Sequence, residues 1–314
     1  MRKFLINILA AAMLFSCLGI TGLADEAEQL TEDIFTYAVS GGKATVTNIE
    51  DSRSRVEIPD TLGGYTVTSI APGACGGSST INEVVIADTV TSIGKMSFAY
   101  SSGIKSVKLP AGLKEIGEGA FYQCENLWTI SIPEGTAAVG NNAFALCSNL
   151  TAVTAPNSLT QIGSVAFGQA PGLRIYASWG SAAQIYAETN NIGYEELIHV
   201  KVNGNEIVFD QPCITDTENY HTLVPMRAVL ESLDGKVKWD EMMNMARIDV
   251  LGSRLLIRPG EPFMMVNGKV YYLNSSAVEF NNRLMLPIRD VIEALGGKVV
   301  WSEEQKLITI TINS

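Results

Sequence analysis

The chain has 314 residues, 46% of them hydrophobic, which is enough for two domains with cores of their own. Its formal charge is −11, from 22 Lys and Arg against 33 Asp and Glu, and such a chain is repelled by phosphate backbones and anionic lipid, so no nucleic-acid partner is expected. Two histidines, with no Gly-x-Ser-x-Gly, His-Glu-x-x-His, Walker-type or Cys-x-x-Cys motif, leave no catalytic, cofactor-binding or metal-ligating residue to assign, and the chain is expected not to be an enzyme.

The N-terminus reads as an export signal. Arg2 and Lys3 precede a mostly apolar run from Phe4 to Ile20, and Gly22-Leu23-Ala24 puts small residues before Asp25. Cleavage after Ala24 is expected, which makes residues 1–24 a signal peptide and the mature protein secreted or surface-bound. A competing reading lipidates Cys17 within Leu14-Phe15-Ser16-Cys17, although Phe15 is bulky for that motif. No later segment is apolar for long enough to span a bilayer. Residues 25–35 read as a short linker.

A 23-residue period then takes over. Ile93-Gly94, Ile116-Gly117, Val139-Gly140 and Ile162-Gly163 recur in step, followed by Phe98, Phe121, Phe144 and Phe167, then by Ile104, Leu127, Leu150 and Leu173. Such a period marks a stacked solenoid, because one unit cannot bury its own apolar face. An earlier unit carries Ile58-Pro59, Ile70 and Ile81, an insertion of five near Gly63-Gly64, and Cys75 in place of the Phe. Segments such as Glu83–Ile86 and Thr129–Ile132 alternate with strand period: Val84, Val107, Ile130 and Val153 point in, while Val85, Lys108, Ser131 and Thr154 point out. The column Gly103, Asn126, Asn149, Gly172 suggests positive φ at a turn, and the Gly of each apolar-Gly pair suggests another tight corner. Cys124 and Cys147 share a slot in adjacent coils, close enough for a disulfide; Ser101 and Ala170 fill the same slot elsewhere and favour two small buried thiols.

Ile-Gly-x-x-Ala-Phe-x-x-Cys-x-x-Leu, as in Ile116 to Leu127, resembles the BspA-type leucine-rich repeat of bacterial surface proteins. Tyr37 to Val46, with the later Gly63-Gly64-Tyr65, looks like the usual lead-in to such arrays, so the resemblance covers residues 36–197. It implies a secreted or surface-attached protein that works by protein binding or adhesion. The outward strand face is mostly small and polar, and Trp128 is the large aromatic beside it; Trp128, Ser131, Lys108 and Thr154 are therefore the candidate contact residues for a protein or glycan ligand. For Trp128, packing against the loop of the next coil is an equal alternative. At the end of the array, residues 179–190 carry Ala182, Ile185 and Tyr186 on one helical face, with Ser181 as N-cap and Gly193 just past the end. A helix there would close the open end of the core.

From about His199 the period changes. Val224-Pro225-Met226-Arg227 recurs as Leu286-Pro287-Ile288-Arg289, and Gly235 to Trp239 recurs as Gly297 to Trp301, both at an offset of 62. Each copy predicts a short helix with Pro in its first turn and Gly at its stop, followed by two strands. Met226, Val229, Leu230, Leu233 and Ile288, Val291, Ile292, Leu295 form one buried stripe per helix, and Arg227–Glu231 and Arg289–Glu293 are spaced to pair. Trp239 and Trp301 read as core anchors rather than sugar platforms. Residues 198–314 form this second domain, and nearly all of residues 200–312 resembles the copper amine oxidase N-terminal-like domain, often called a stalk domain. Copper in such oxidases is held by three histidines, and this chain has only His199 and His221, so the resemblance implies a structural or attachment unit, one that could hold cell-wall polymer. The acid pairs Glu195-Glu196 and Glu303-Glu304 read as solvated surface, and Asp216-Thr217-Glu218 as at most a weak calcium cluster. The expected fold is mainly β with short helices: a leucine-rich-repeat solenoid followed by a duplicated α+β stalk-like domain.

Overall fold

The computed structural model describes residues 29–209, 211–216, 221–280 and 283–313. The expected signal peptide, the Cys17 alternative and residues 217 and 218 of the acidic cluster lie outside the described residues. Over the described residues the protein is mainly β with three short helices, a solenoid followed by a second β-rich unit.

Each coil contributes one strand to each of two parallel ladders, one of them split into two sheets, because alternating segments repeated at a constant spacing pair with their own equivalents. Glu83 pairs with Ser106, Thr129 with Ala152, and Ser92 with Glu115, all at the 23-residue offset. The array opens on antiparallel strands, Gln29–Glu32, Phe35–Ser40 and Lys43–Ile49, before the parallel pairing starts at Tyr65–Ile70. The insertion of five is a hairpin: Thr61–Leu62 pairs antiparallel with Tyr65–Ile70 around Gly63 and Gly64, whose φ values are 56° and 84°. Ile58 still reaches Ile86, so the insertion leaves the register intact.

Between the sheets runs a column of stacked rings. Phe98, Phe121, Phe144 and Phe167 are each at most 2% exposed, with successive centroids 5.2, 5.2 and 5.4 Å apart and planes within 7° of parallel. Burial of each ring stabilises the array by about 1.5–3 kcal/mol. Helix α1 (Ala182–Thr189) closes the far end, capped by the Ser181 hydroxyl, which accepts from the Gln184 N–H. Tyr186 packs edge-on against Phe167 at 5.8 Å and ends the column. The buried face of α1 is Ala183, Gln184 and Ala187 rather than Ala182 and Ile185; Ile185 is 58% exposed. The sheet, not the helix, sets this rotation. Gly193 does not stop the helix but begins the strand Gly193–Glu196, which adds in parallel to Arg174–Ala177.

Two columns differ from their sequence reading. Asn126 and Asn149 have no positive φ; Asn126 Nδ2 donates to the Ser102 carbonyl at 2.7 Å and Asn149 Nδ2 to Asn126 Oδ1 at 3.2 Å. That slot wants an amide linking adjacent coils, and only Gly172 there has the left-handed backbone. Gly94, Gly117, Gly140 and Gly163 are needed for close approach rather than a corner: a Cβ on Gly140 would sit 2.5 Å from the Glu118 nitrogen of the preceding coil. The Cys124 and Cys147 thiols are free and buried, and each donates to the carbonyl of a residue 26 positions earlier, Phe98 and Phe121, at 3.2 Å. Ser101 does the same to Cys75 at 2.8 Å, so the slot selects a small donor, not a pair.

The second unit is built around a pseudo-two-fold relation. Thr222–Pro225 and Arg283–Pro287 pair antiparallel, and Val224 lies opposite Leu286, its own equivalent. The first strand, His199–Val202, pairs in parallel with the last, Leu307–Thr311, and closes the unit. Asn203, at the tip of the turn after the first strand, bonds both the N–H and the carbonyl of Ile312. Helices α2 (Met226–Glu231) and α3 (Ile288–Ala294) bury the expected stripes, apart from a half-buried Leu295; Pro225 and Pro287 are their N-caps rather than residues of the first turn. The Arg227–Glu231 and Arg289–Glu293 pairs form at 4.0 and 3.6 Å.

Truncating Phe144 to Ala is expected to cost about 3–5 kcal/mol, because a fixed backbone on both sides prevents the site from collapsing; urea unfolding followed by circular dichroism measures it. Burial pushes the Cys75, Cys147 and Cys213 thiols up to about 12 from an ordinary value near 9, and Cys124 well above that value. The folded chain therefore keeps protons that the unfolded chain releases, so this contribution is complete below pH 9 and stability falls as pH rises from 9 toward 12. Unfolding midpoints measured across that range, with Cys147→Ser as comparison, should show the decline flattened in the variant.

Candidate binding face

Equal register in consecutive coils aligns outward side chains into rows. One row runs Arg55, Glu83, Ser106, then Thr129, Ala152, Arg174; its neighbour runs Glu57, Val85, Lys108, then Ser131, Thr154, Tyr176, Glu195. Ser131 and Thr154 thus occupy adjacent rungs of one row, and Lys108 ends the matching row on the other side of a break. The strand ladder is interrupted between Ser106–Lys108 and Thr129–Ser131, which belong to separate sheets. Trp128 stands directly before the first strand after this seam, half-buried, and its carbonyl accepts from the Thr151 N–H at 2.9 Å.

The four candidates differ in what they offer. Lys108 is exposed and has no ion-pair partner among the described residues, while Ser131 is half-buried. The Thr154 hydroxyl is buried and without a partner, so it is not presented to solvent. Its register neighbour Tyr176 is 5% exposed and fills that rung; burial pushes its phenol up to about 12, so it stays neutral.

Charge sits at the two ends of the face. Arg55 pairs with Glu57 at 2.6 Å and Glu83 at 2.5 Å, and Arg174 with Glu195 at 2.9 Å. The hydrogen bonds that Arg55 donates to Glu57 and Glu83 raise its guanidinium above its ordinary value. Between these clusters lie Ser106, Thr129 and Ser131, so the centre is hydroxyl-rich beside the Lys108 cation. Glu195 and Glu196 are accordingly not free surface acids: Glu196 lies 3.9 Å from Lys306 of the second unit, and Glu303 accepts from both Trp301 and Lys306. The sequence reading missed the exposed aromatic pair Tyr100–Tyr122, packed edge to face at 5.4 Å with Tyr100 52% exposed; two large aromatics at non-repeating positions were the available signal. No three His, Cys, Asp or Glu side chains converge as a metal site among the described residues, and no helix there is long and apolar enough to cross a membrane.

Known proteins resemble both units. The model of the BspA type leucine rich repeat region matches residues 68–189 in six copies, and that of the copper amine oxidase N-terminal domain matches residues 201–310. Among solved structures, the leucine-rich repeat protein of T. pallidum is 27% identical over 48% of this chain and 72% of that one, with a TM-score of 0.45. A leucine-rich cell surface protein from Faecalibacterium prausnitzii is 26% identical over 51% of this chain and 41% of that one, with a TM-score of 0.46. A leucine-rich repeat protein from Bacteroides capillosus is 29% identical over 40% of this chain and 96% of that one, at 0.37. No curated protein matches. The coil register, the Phe column and the duplicated helix-hairpin unit agree with these family matches: residues 68–189 are a BspA-type leucine-rich repeat region, and residues 201–310 are a copper amine oxidase N-terminal domain.

Proposed function

We propose that the chain is an exported, non-catalytic surface protein whose solenoid binds a protein ligand through its outward strand face, with the second unit as a stalk. The observation that carries this is the row at the centre of the face, where exposed Lys108 and half-buried Ser131 flank the seam beside Trp128. Parallel coils in register give a long, rigid surface, and a rigid surface loses little entropy on binding. An exported leader and a BspA-type repeat region support placement at the cell surface.

The test is retention of residues 25–197 and 198–314, purified separately, on a panel of matrix proteins and on the producer's cell wall. Retention of the solenoid half by a matrix protein, weakened at least about tenfold by Trp128→Ala or Ser131→Arg, is the expected outcome. Binding that both substitutions leave unchanged would move the contact off this face. Retention of the second half alone, by cell wall, would instead make envelope attachment the chain's main role.

A further inference from the structure

The duplication leaves two equivalent clefts in the second unit, each between a helix and the strand pair that follows it. Pro225, Met226, Arg227, Val237, Trp239 and Ala246 line the first, and the residues 62 positions later, from Pro287 to Ile308, line the second. The register matches as well, since Trp239 pairs with Ala246 and Trp301 with Ile308. One cleft is thus an internal control for the other.

In the second cleft the polar groups are engaged by its own side chains and backbone. Trp301 Nε1 donates to Glu303 at 2.8 Å, and Lys306 Nζ lies 6.0 Å from its ring centroid. Arg289 donates to the Val299 carbonyl at 3.1 Å, and Asp290 accepts from the backbone N–H of Asn274 at 2.7 Å. The first cleft keeps an acid at the equivalent of Glu303, Glu241, but its indole does not bond to it, and the other two partners are replaced. Asn244 stands where the second copy has Lys306, and Ala228 where it has Asp290. Trp239 is 42% exposed, and its indole N–H has no partner among the described residues; Arg227 has only the 4.0 Å contact to Glu231. The volume is about 400 Å³, against about 260 Å³ in the second copy, and falls within the range of about 300–1,000 Å³ for small-ligand sites.

We infer that the cleft between α2 and the strand Lys236–Asp240 is a saccharide-binding site, with Trp239 as the stacking platform and Arg227 and Glu231 as hydrogen-bonding groups. The charges lining it, Arg227 and Arg283 against Glu231 and Glu279, balance, so neither an anion nor a cation is selected. Its floor is apolar, from Met226, Leu230 and Ile248. A neutral pyranose ring meets both demands: its C–H face covers the indole, and its hydroxyls bond the charged side chains at the mouth. The side chains of an apolar peptide would desolvate those charges without replacing their hydrogen bonds. This site is independent of the role proposed for the solenoid, and loss of either leaves the other standing.

The test titrates the full chain with cellotetraose and chitotetraose, two neutral β-linked pyranose oligomers, and with the neutral peptide acetyl-Leu-Ala-Leu-Ala-amide, read by calorimetry. Saturable binding of at least one sugar is expected, weakened at least about tenfold by Trp239→Ala, severalfold by Arg227→Ala, and unchanged by Trp301→Phe in the second copy. Should Trp239→Ala fail to fold, Arg227→Ala decides the matter, because its side chain lies at the exposed mouth. Binding of neither sugar, sugar binding indifferent to the first-cleft substitutions, or Trp239-dependent binding of the peptide alone would overturn the inference.

Discussion

Everything in the solenoid depends on holding each coil one strand spacing, about 4.8 Å, from the next. Backbone hydrogen bonds set that distance, and the side chains are those that tolerate it. Phe rings stack at 5.2–5.4 Å because their carriers are held at that pitch. Glycine follows Ile or Val because a Cβ would strike the neighbouring backbone, 2.3 Å away at Gly163. Ser101, Cys124 and Cys147 satisfy carbonyls that face inward, away from water. A change in any column is felt on both sides, so the array tolerates little variation inside and leaves variation to its outer rows.

The second unit solves a different problem with duplication. Two copies meet along Val224 and Leu286, and the chain's return strand pairs with its entry strand, so neither copy stands alone. Once fold stability rests on the shared core, the two clefts are released from identical duty. One copy satisfied its polar groups internally through Glu303, Lys306 and Asp290. The other left an aromatic face and a guanidinium at the surface. Divergence between equivalent positions is therefore more informative here than the positions themselves.

Legibility followed periodicity. The Phe column, the inward Val and Ile positions, the insertion of five, and both Arg–Glu pairs of the second unit were readable because each recurs at a fixed spacing. What occurs once was read less well. The rotation of α1 was misassigned because its neighbours come from the last coil, not from its own pattern. Trp239 and Trp301 were both read as core anchors because equivalent sequence positions suggest equivalent burial. Thr154 was placed outward by alternation, yet its hydroxyl is enclosed beside Tyr176, a residue whose size no repeat rule anticipates.

The sequence by itself determined the architecture: the 23-residue spacing compels stacking, and the 62-residue offset compels two copies of one unit, since identical patterns bury identical faces. Only the tertiary structure decided where surface is available. The seam between Lys108 and Ser131, the enclosure of Thr154 and the difference between the two tryptophan clefts all depend on side chains brought together from coils or copies distant in the chain. Their exposure is set by what packs beside them, which no local pattern records.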